Sequence, residues 1–159
     1  MDIGSVFDPQ SSVRRMFRPL GIAASGLSAQ SFKMRTIAQN IANADATRTA
    51  NGGPYQRQVV QFEALPGPDQ GVGGLDLDLP GLQKGEGGVR VGSVTADVKE
   101  GPLVYDPGHP DADAAGYVRY PNVDITEETV DMLVARRAYE ANATVFQVLK
   151  SVLHKALEI

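Results

Sequence analysis

Apolar side chains recur every seven residues at both ends of this 159-residue chain, and no other feature limits its possible folds as much. Near the start, Leu20, Leu27, Met34 and Ile41 lie seven apart, and Ala23, Ile37 and Ala44 follow three of them by three places. This is the a/d seam of a helix that packs against other helices, with Gln30 as its single polar d position. Toward the other end, Val134, Ala138, Ala141, Val145, Val148 and Val152 alternate in steps of four and three, resuming at Ile159 after a break at Lys155. The pattern predicts one helix over residues 17–44, after an extension of residues 1–16, and another over 123–159. Asp124 with Glu127, or Thr126 itself, supplies an N-cap for the second helix. Glu127, Glu128 and Asp131 place negative charge at its positive end, and Lys150, His154 and Lys155 suit the other.

A helix hairpin packed only on its own small domain would need one apolar face per helix. The second helix has more than that: Phe146 and Leu153 lie off the seam on one side, and Leu149 and Ala156 widen it on the other. One partner helix cannot cover both lines, so the pattern calls for several neighbours. Charge gives a register. Residues 17–44 carry Arg18, Lys33 and Arg35 without an acid, so antiparallel pairing is expected to bring Arg35, and Arg48 beyond the helix, toward Glu127 and Asp131. Exposed pairs of this kind set register more than they add stability.

Between the helices, residues 45–122 change period. Short β-branched and aromatic runs at 55–62, 89–94 with a continuation toward Val98, 103–105 and 116–120 are bounded by Gly, Pro or Asp and predict a small antiparallel sheet. Residues 65–88, rich in Gly, Pro and Asp, read as a long loop. The fold class expected is α+β: long N- and C-terminal helices pairing as a coiled-coil-like hairpin, with a small antiparallel β-rich middle domain.

Composition narrows function. A net charge of -4 with no basic stripe argues against nucleic acid, and without a run of 18 apolar residues the chain has no membrane-spanning segment. With no Cys there is no thiol nucleophile and no disulfide framework. Arg14-Arg15 followed by a weakly apolar stretch to Ala29 looks like a twin-arginine signal, but the heptad runs through the would-be cleavage site, so no cleavage is expected. Asp106, His109, Asp111 and Asp113 gather within eight residues and could hold a divalent cation, which would suit a secreted metal-dependent hydrolase. Pro107 and Pro110 make the same stretch read as consecutive turns, in which Asp accepts from nearby backbone amides. The turn reading is preferred. No triad has a second supporting motif, and Gly85-Glu-Gly-Gly88 precedes a strand, so it fails as a phosphate cradle. The chain is read as having no catalytic residues, cofactor or metal.

Three stretches carry a resemblance. Asn40-Ile-Ala-Asn43-Ala-Asp-Ala-Thr47 resembles the N-I-A-N-x-x-T signature of the axial rod and hook proteins of the bacterial flagellum. Arg137-Ala-Tyr139-Glu140-Ala-Asn142 is similar to that family's second signature. The segment from Leu103 through Asp106, Gly108, His109, Asp111, Asp113 and Asn122 to Asp124, with Gly52 to Gln58, resembles a proximal-rod member. The resemblance implies a structural subunit that polymerises through its terminal helices into a torque-transmitting shaft, helices that become fully ordered only on assembly. It implies export by the flagellar type III apparatus without a cleaved signal, and a place in the periplasmic rod. The partners implied are further copies, other rod proteins and the junction with the basal-body ring and export gate. The interface residues expected are Leu20, Leu27, Met34, Ile37 and Ile41 on the first helix and Val134, Ala138, Ala141, Val145, Val148 and Val152 on the second. Asn40 and Asn43 are expected to bond backbone where the first helix ends. Arg136 and Glu140 are assigned to contacts between subunits, and Tyr139 to an interface or to the hairpin core.

Overall fold

A computed structural model of the chain describes residues 9–50, 52–67 and 87–158. Helix α1 spans Pro9–Ala42 and helix α2 Ile125–Leu157. At 1.5 Å per residue each is about 50 Å long. Between them come β1 (Gln58–Leu65), β2 (Gly88–Ala96), β3 (Leu103–Tyr105) and β4 (Tyr117–Arg119). The α+β architecture expected from the sequence is therefore present. Residues 1–8 of the extension and 68–86 of the loop lie outside the described residues, as does Ile159.

Two expectations are corrected. α1 begins eight residues before Phe17, because a heptad marks the packed face of a helix and not its full length; Pro9 suits a first helical position, where no amide donor is needed. The helix also carries Pro19 within it and continues past the Arg14-Arg15 pair to Ala42. The four strands form two two-stranded sheets, β1-β2 and β3-β4, where one sheet was expected. The Lys99–Pro102 link separates them: Pro102 has no amide to donate to a ladder. In β3-β4, Leu103 faces Arg119, Val104 faces Val118 and Tyr105 faces Tyr117 in antiparallel register. The amide of Asp97 bonding the Arg57 carbonyl (2.7 Å), with Ser93 bonding Gln61 and Arg90 bonding Glu63, gives β1-β2 the same antiparallel sense.

The chain divides into two compact units. The first draws on Met1–Gln30, Phe62–Arg90 and Ala138–Ile159, the second on Ser31–Gln61 and Val91–Arg137. In the first, α1 and α2 approach closely: a Cβ added at Gly26 would stand 2.8 Å from Asn142 Nδ2. Ser25 Oγ donates to the Ile22 carbonyl at 2.7 Å and accepts from the Val89 amide at 3.1 Å, which seats the start of β2 on α1. Ala23, Ala29 and Leu153 are buried there. In the second, Ile37, Ala44, Val118 and Ala135 are buried together with Thr36, Asn40 and Glu128. Four of these seven buried apolar residues are alanines, so close helix approach and not bulky side chains fills the interior.

Gly101 shows how tightly the second unit is drawn. A Cβ there would lie 2.0 Å from the Tyr120 carbonyl oxygen and 2.8 Å from the Asn122 nitrogen, both backbone atoms that cannot swing aside.

Candidate assembly surface and the polar junction

α2 carries two apolar lines, and the structure assigns them different surroundings. Glu128, Ala135 and Leu153 are buried within the chain, and Asn142, Phe146 and Leu149 on the same side are half-buried. The line that looked secondary in the sequence is thus the one that packs internally. The regular seam is left open: Val134, Val145, Val148 and Val152 are 51–58% exposed, as are Val130 at 57% and Leu133 at 48%. Ala141 is also exposed and Ala138 is half-buried. On α1, Ile37 is buried inside the second unit, while Leu20, Leu27, Met34 and Ile41 are half-buried. Gly26 on α1 accepts Asn142 of α2, and in the second unit a hydrogen bond from Asn40 to Glu128 fixes the rotation of α2. The result is a helix of about nine turns with an uncovered apolar stripe.

The second unit holds a polar junction. Asn40 is 1% exposed, and all four hydrogen-bonding positions of its amide are used. Its Nδ2 donates to the Gln58 carbonyl (2.9 Å) and to Glu128 Oε2 (3.0 Å). Its Oδ1 accepts from the Tyr55 hydroxyl and the Gln58 amide, each at 2.9 Å. Asn40 therefore bonds a neighbouring strand, where a cap on its own helix was expected. Asn43 takes that cap, its Nδ2 donating to the Gln39 carbonyl at 2.7 Å.

Glu128, 1% exposed, is completed by Arg57 Nε at 2.5 Å. The guanidinium also reaches Glu127 at 3.7 Å and Asp131 at 3.8 Å. Burial alone would lower the Arg57 pKa, but the hydrogen bond and charge of Glu128, with Glu127 and Asp131, leave it raised. Tyr55 is likewise raised, first by burial and then by the Glu128 charge. Arg57 thus fills the place expected of Arg35 and Arg48. Arg35 instead lies over the Phe32 ring at 5.5 Å, and Arg48 pairs with Asp111 at 3.5 Å. Neither Arg57 nor Glu128 was singled out as a site residue. The signal available was Arg57 inside Gly52–Gln58 and a glutamate one residue past Glu127, both readable only with the partner in view.

The Asp106–Asp113 loop behaves as turns. Asp106 Oδ1 accepts from the Gly108 amide at 3.2 Å, and Asp113 Oδ1 accepts from Ala115 and Tyr117 at 2.8 and 2.9 Å. His109 Nδ1 accepts from the Asp111 amide at 3.1 Å, and Asp111 Oδ2 accepts from the Thr47 hydroxyl at 2.8 Å. Among the described residues no three such groups gather as a metal ion would need. Asn122 Oδ1 accepts from the Arg57 amide at 3.1 Å, so this segment and the Gly52–Gln58 segment meet. Asp124 is the N-cap, accepting from the Thr126 and Glu127 amides at 2.7 and 3.2 Å, which lowers its pKa. Of the second signature, Asn142 packs by Gly26, while Arg137, Tyr139 and Glu140 lie on the exposed side of α2.

Two long terminal helices, one with an uncovered seam, and no gathered catalytic set among the described residues fit the class of structural subunits. Comparison with known proteins agrees. Residues 20–48 match the family model of flagella basal body rod proteins, and residues 114–159 match that of the flagellar basal body rod FlgEFG protein C-terminal region. The flagellar basal-body rod protein FlgC of Borreliella burgdorferi is 43% identical over 149 residues, covering 91% of this chain and 97% of that protein. Those of Bacillus subtilis and Salmonella typhimurium are 40% and 39% identical, covering 90% and 87% of this chain and 97% and 92% of their own length. The chain belongs to the FlgC family of flagellar basal-body rod proteins, and its function is that of a structural rod subunit.

Proposed function

We propose that the subunit polymerises with further copies and with other rod components through its terminal helices, forming part of the shaft that carries torque from motor to hook. The observation that carries this reading is the exposure of Val134, Val145, Val148 and Val152 along one side of α2. Covering such a stripe between subunits gains about 25 cal/mol for each Å² of apolar surface, and any slip between helices would expose it again. Resistance to twist is then a packing property, and the subunit needs no chemistry of its own.

Within this reading α1 and α2 form the polymerising helices, with Leu20, Leu27, Met34, Ile41, Ala138 and Ala141 completing the interface and Ile37, buried inside the second unit, left out of it. Residues 45–122 form the outward part, and Arg136, Tyr139 and Glu140 meet neighbours. Export proceeds through the flagellar type III apparatus without a cleaved signal, the rod stands in the periplasm, and the subunit also meets the junction of the basal-body ring and export gate. No helix among the described residues is long and apolar enough to cross a membrane, which suits a rod protein. Val145→Asp should abolish swimming while secretion of the subunit continues; normal swimming in that strain would refute the reading.

A further inference from the structure

We propose that the buried Asn40–Glu128–Arg57 network selects the register of α1 against α2 and adds little to how strongly the helices hold together. The apolar contacts between the helices are poor at choosing a register. On α1 the half-buried Leu20, Leu27, Met34 and Ile41, and on α2 the half-buried Phe146 and the buried Leu153, recur every seven places, so a slide by one heptad sets one large apolar side chain where another stood.

The network does not tolerate that slide. Asn40 faces Glu128, and a shift of seven residues would set it against Ala135 or Pro121. Its amide would lose the carboxylate partner, and Glu128 would leave Arg57. A buried polar group without a partner costs about 1–3 kcal/mol. The partners also come from distant parts of the chain: Asn40 and Glu128 are 88 residues apart, and Arg57 and Glu128 are 71 apart. Only one alignment of α1, β1 and α2 satisfies all of them. Within the first unit, Gly26 and Asn142 meet and give a place to read the register of α1 against α2.

Net stability is a separate matter. Replacing a buried ion pair by apolar side chains of similar size is often neutral or favourable, because the cost of desolvating both charges disappears with them. A network retained despite this is accounted for by specificity.

The test uses engineered cysteines, which are the only thiols in a chain that has none of its own. Gly26→Cys with Asn142→Cys reports the native register, and Gly26→Cys with Leu149→Cys reports a slide of one heptad. In the purified full-length chain, the first pair should form its disulfide in preference to the second by at least roughly tenfold, since one unsatisfied buried group already weighs that much. Adding Arg57→Met and Glu128→Leu together should leave the urea midpoint at or above that of the parent and bring the two disulfide yields within about twofold of each other, the register preference having gone. Glu128→Gln, which keeps an acceptor for Asn40, should give an intermediate ratio. An unchanged ratio in the double variant overturns the proposal. So does loss of folding in the double variant, which would make the pair a stabilising element. The result stands apart from the rod reading, which the swimming assay tests separately.

Discussion

The polar junction and the open stripe on α2 lie on the same helix and follow opposite rules. At the junction the two buried polar side chains are satisfied within the chain: the Asn40 amide by four partners, and Glu128 by Asn40 and Arg57. Along Val134, Val145, Val148 and Val152 the β-branched side chains stand more than half exposed. The difference shows where the chain completes itself and where it depends on neighbours. A buried charge must be matched inside the fold, because leaving it unmatched until assembly would cost several kcal/mol. An exposed valine costs far less and can wait for a partner.

Substitution should separate the two regions sharply. The largest effect is expected from Glu128→Ala, which removes the buried partner of both Asn40 and Arg57: about 3–5 kcal/mol lost in urea denaturation. A loss under 1 kcal/mol would mean that water reaches the pair and that the junction is not closed. Gly101→Ala comes next. Its Cβ meets backbone and not a movable side chain, and overpacking of this kind costs about 1–3 kcal/mol or more. Thr47→Ala removes one hydrogen bond to Asp111 and should cost about 0.5–1.5 kcal/mol, a modest fall in melting temperature.

Val148→Asp, on the stripe, should shift stability of the isolated chain by no more than about 0.5 kcal/mol yet stop swimming. A large loss of stability there would place Val148 in the chain's own core. The smallest effect concerns Asp124. Its carboxyl pKa is lowered by the Thr126 and Glu127 amides, so its stabilising contribution is full above the ordinary carboxylate value and fades as pH falls through the lowered one. Circular dichroism should show the first turn of α2 loosening in that acidic window in the native chain, and no such step in Asp124→Ala.

Much of this molecule is legible in its sequence. The two helices follow from their heptads, and β3 and β4 from short runs between turn residues. Asp106 and Asp113 declare themselves as turn formers by their Pro and Gly neighbours. Less legible is which of two apolar lines on α2 turns inward. Periodicity shows that both Val145 and Leu153 are on packed faces, but only the matching surface of α1 decides which is covered within the chain. Arg57 is hidden for a related reason: its partner stands 71 residues away, and nothing local distinguishes it from Arg35 or Arg48. Gly101 reads locally as a turn residue before Pro102, whereas its need for a missing side chain arises from the backbone at Tyr120–Asn122 folding against it.

Thiol protection of Val148→Cys tests the central claim most directly, because the chain has no other cysteine. The account predicts rapid maleimide labelling in the purified subunit and strong protection in basal bodies isolated from swimming cells. Equal labelling in both would show that this face of α2 stays open to solvent in the rod, and the stripe would not be what joins the subunits.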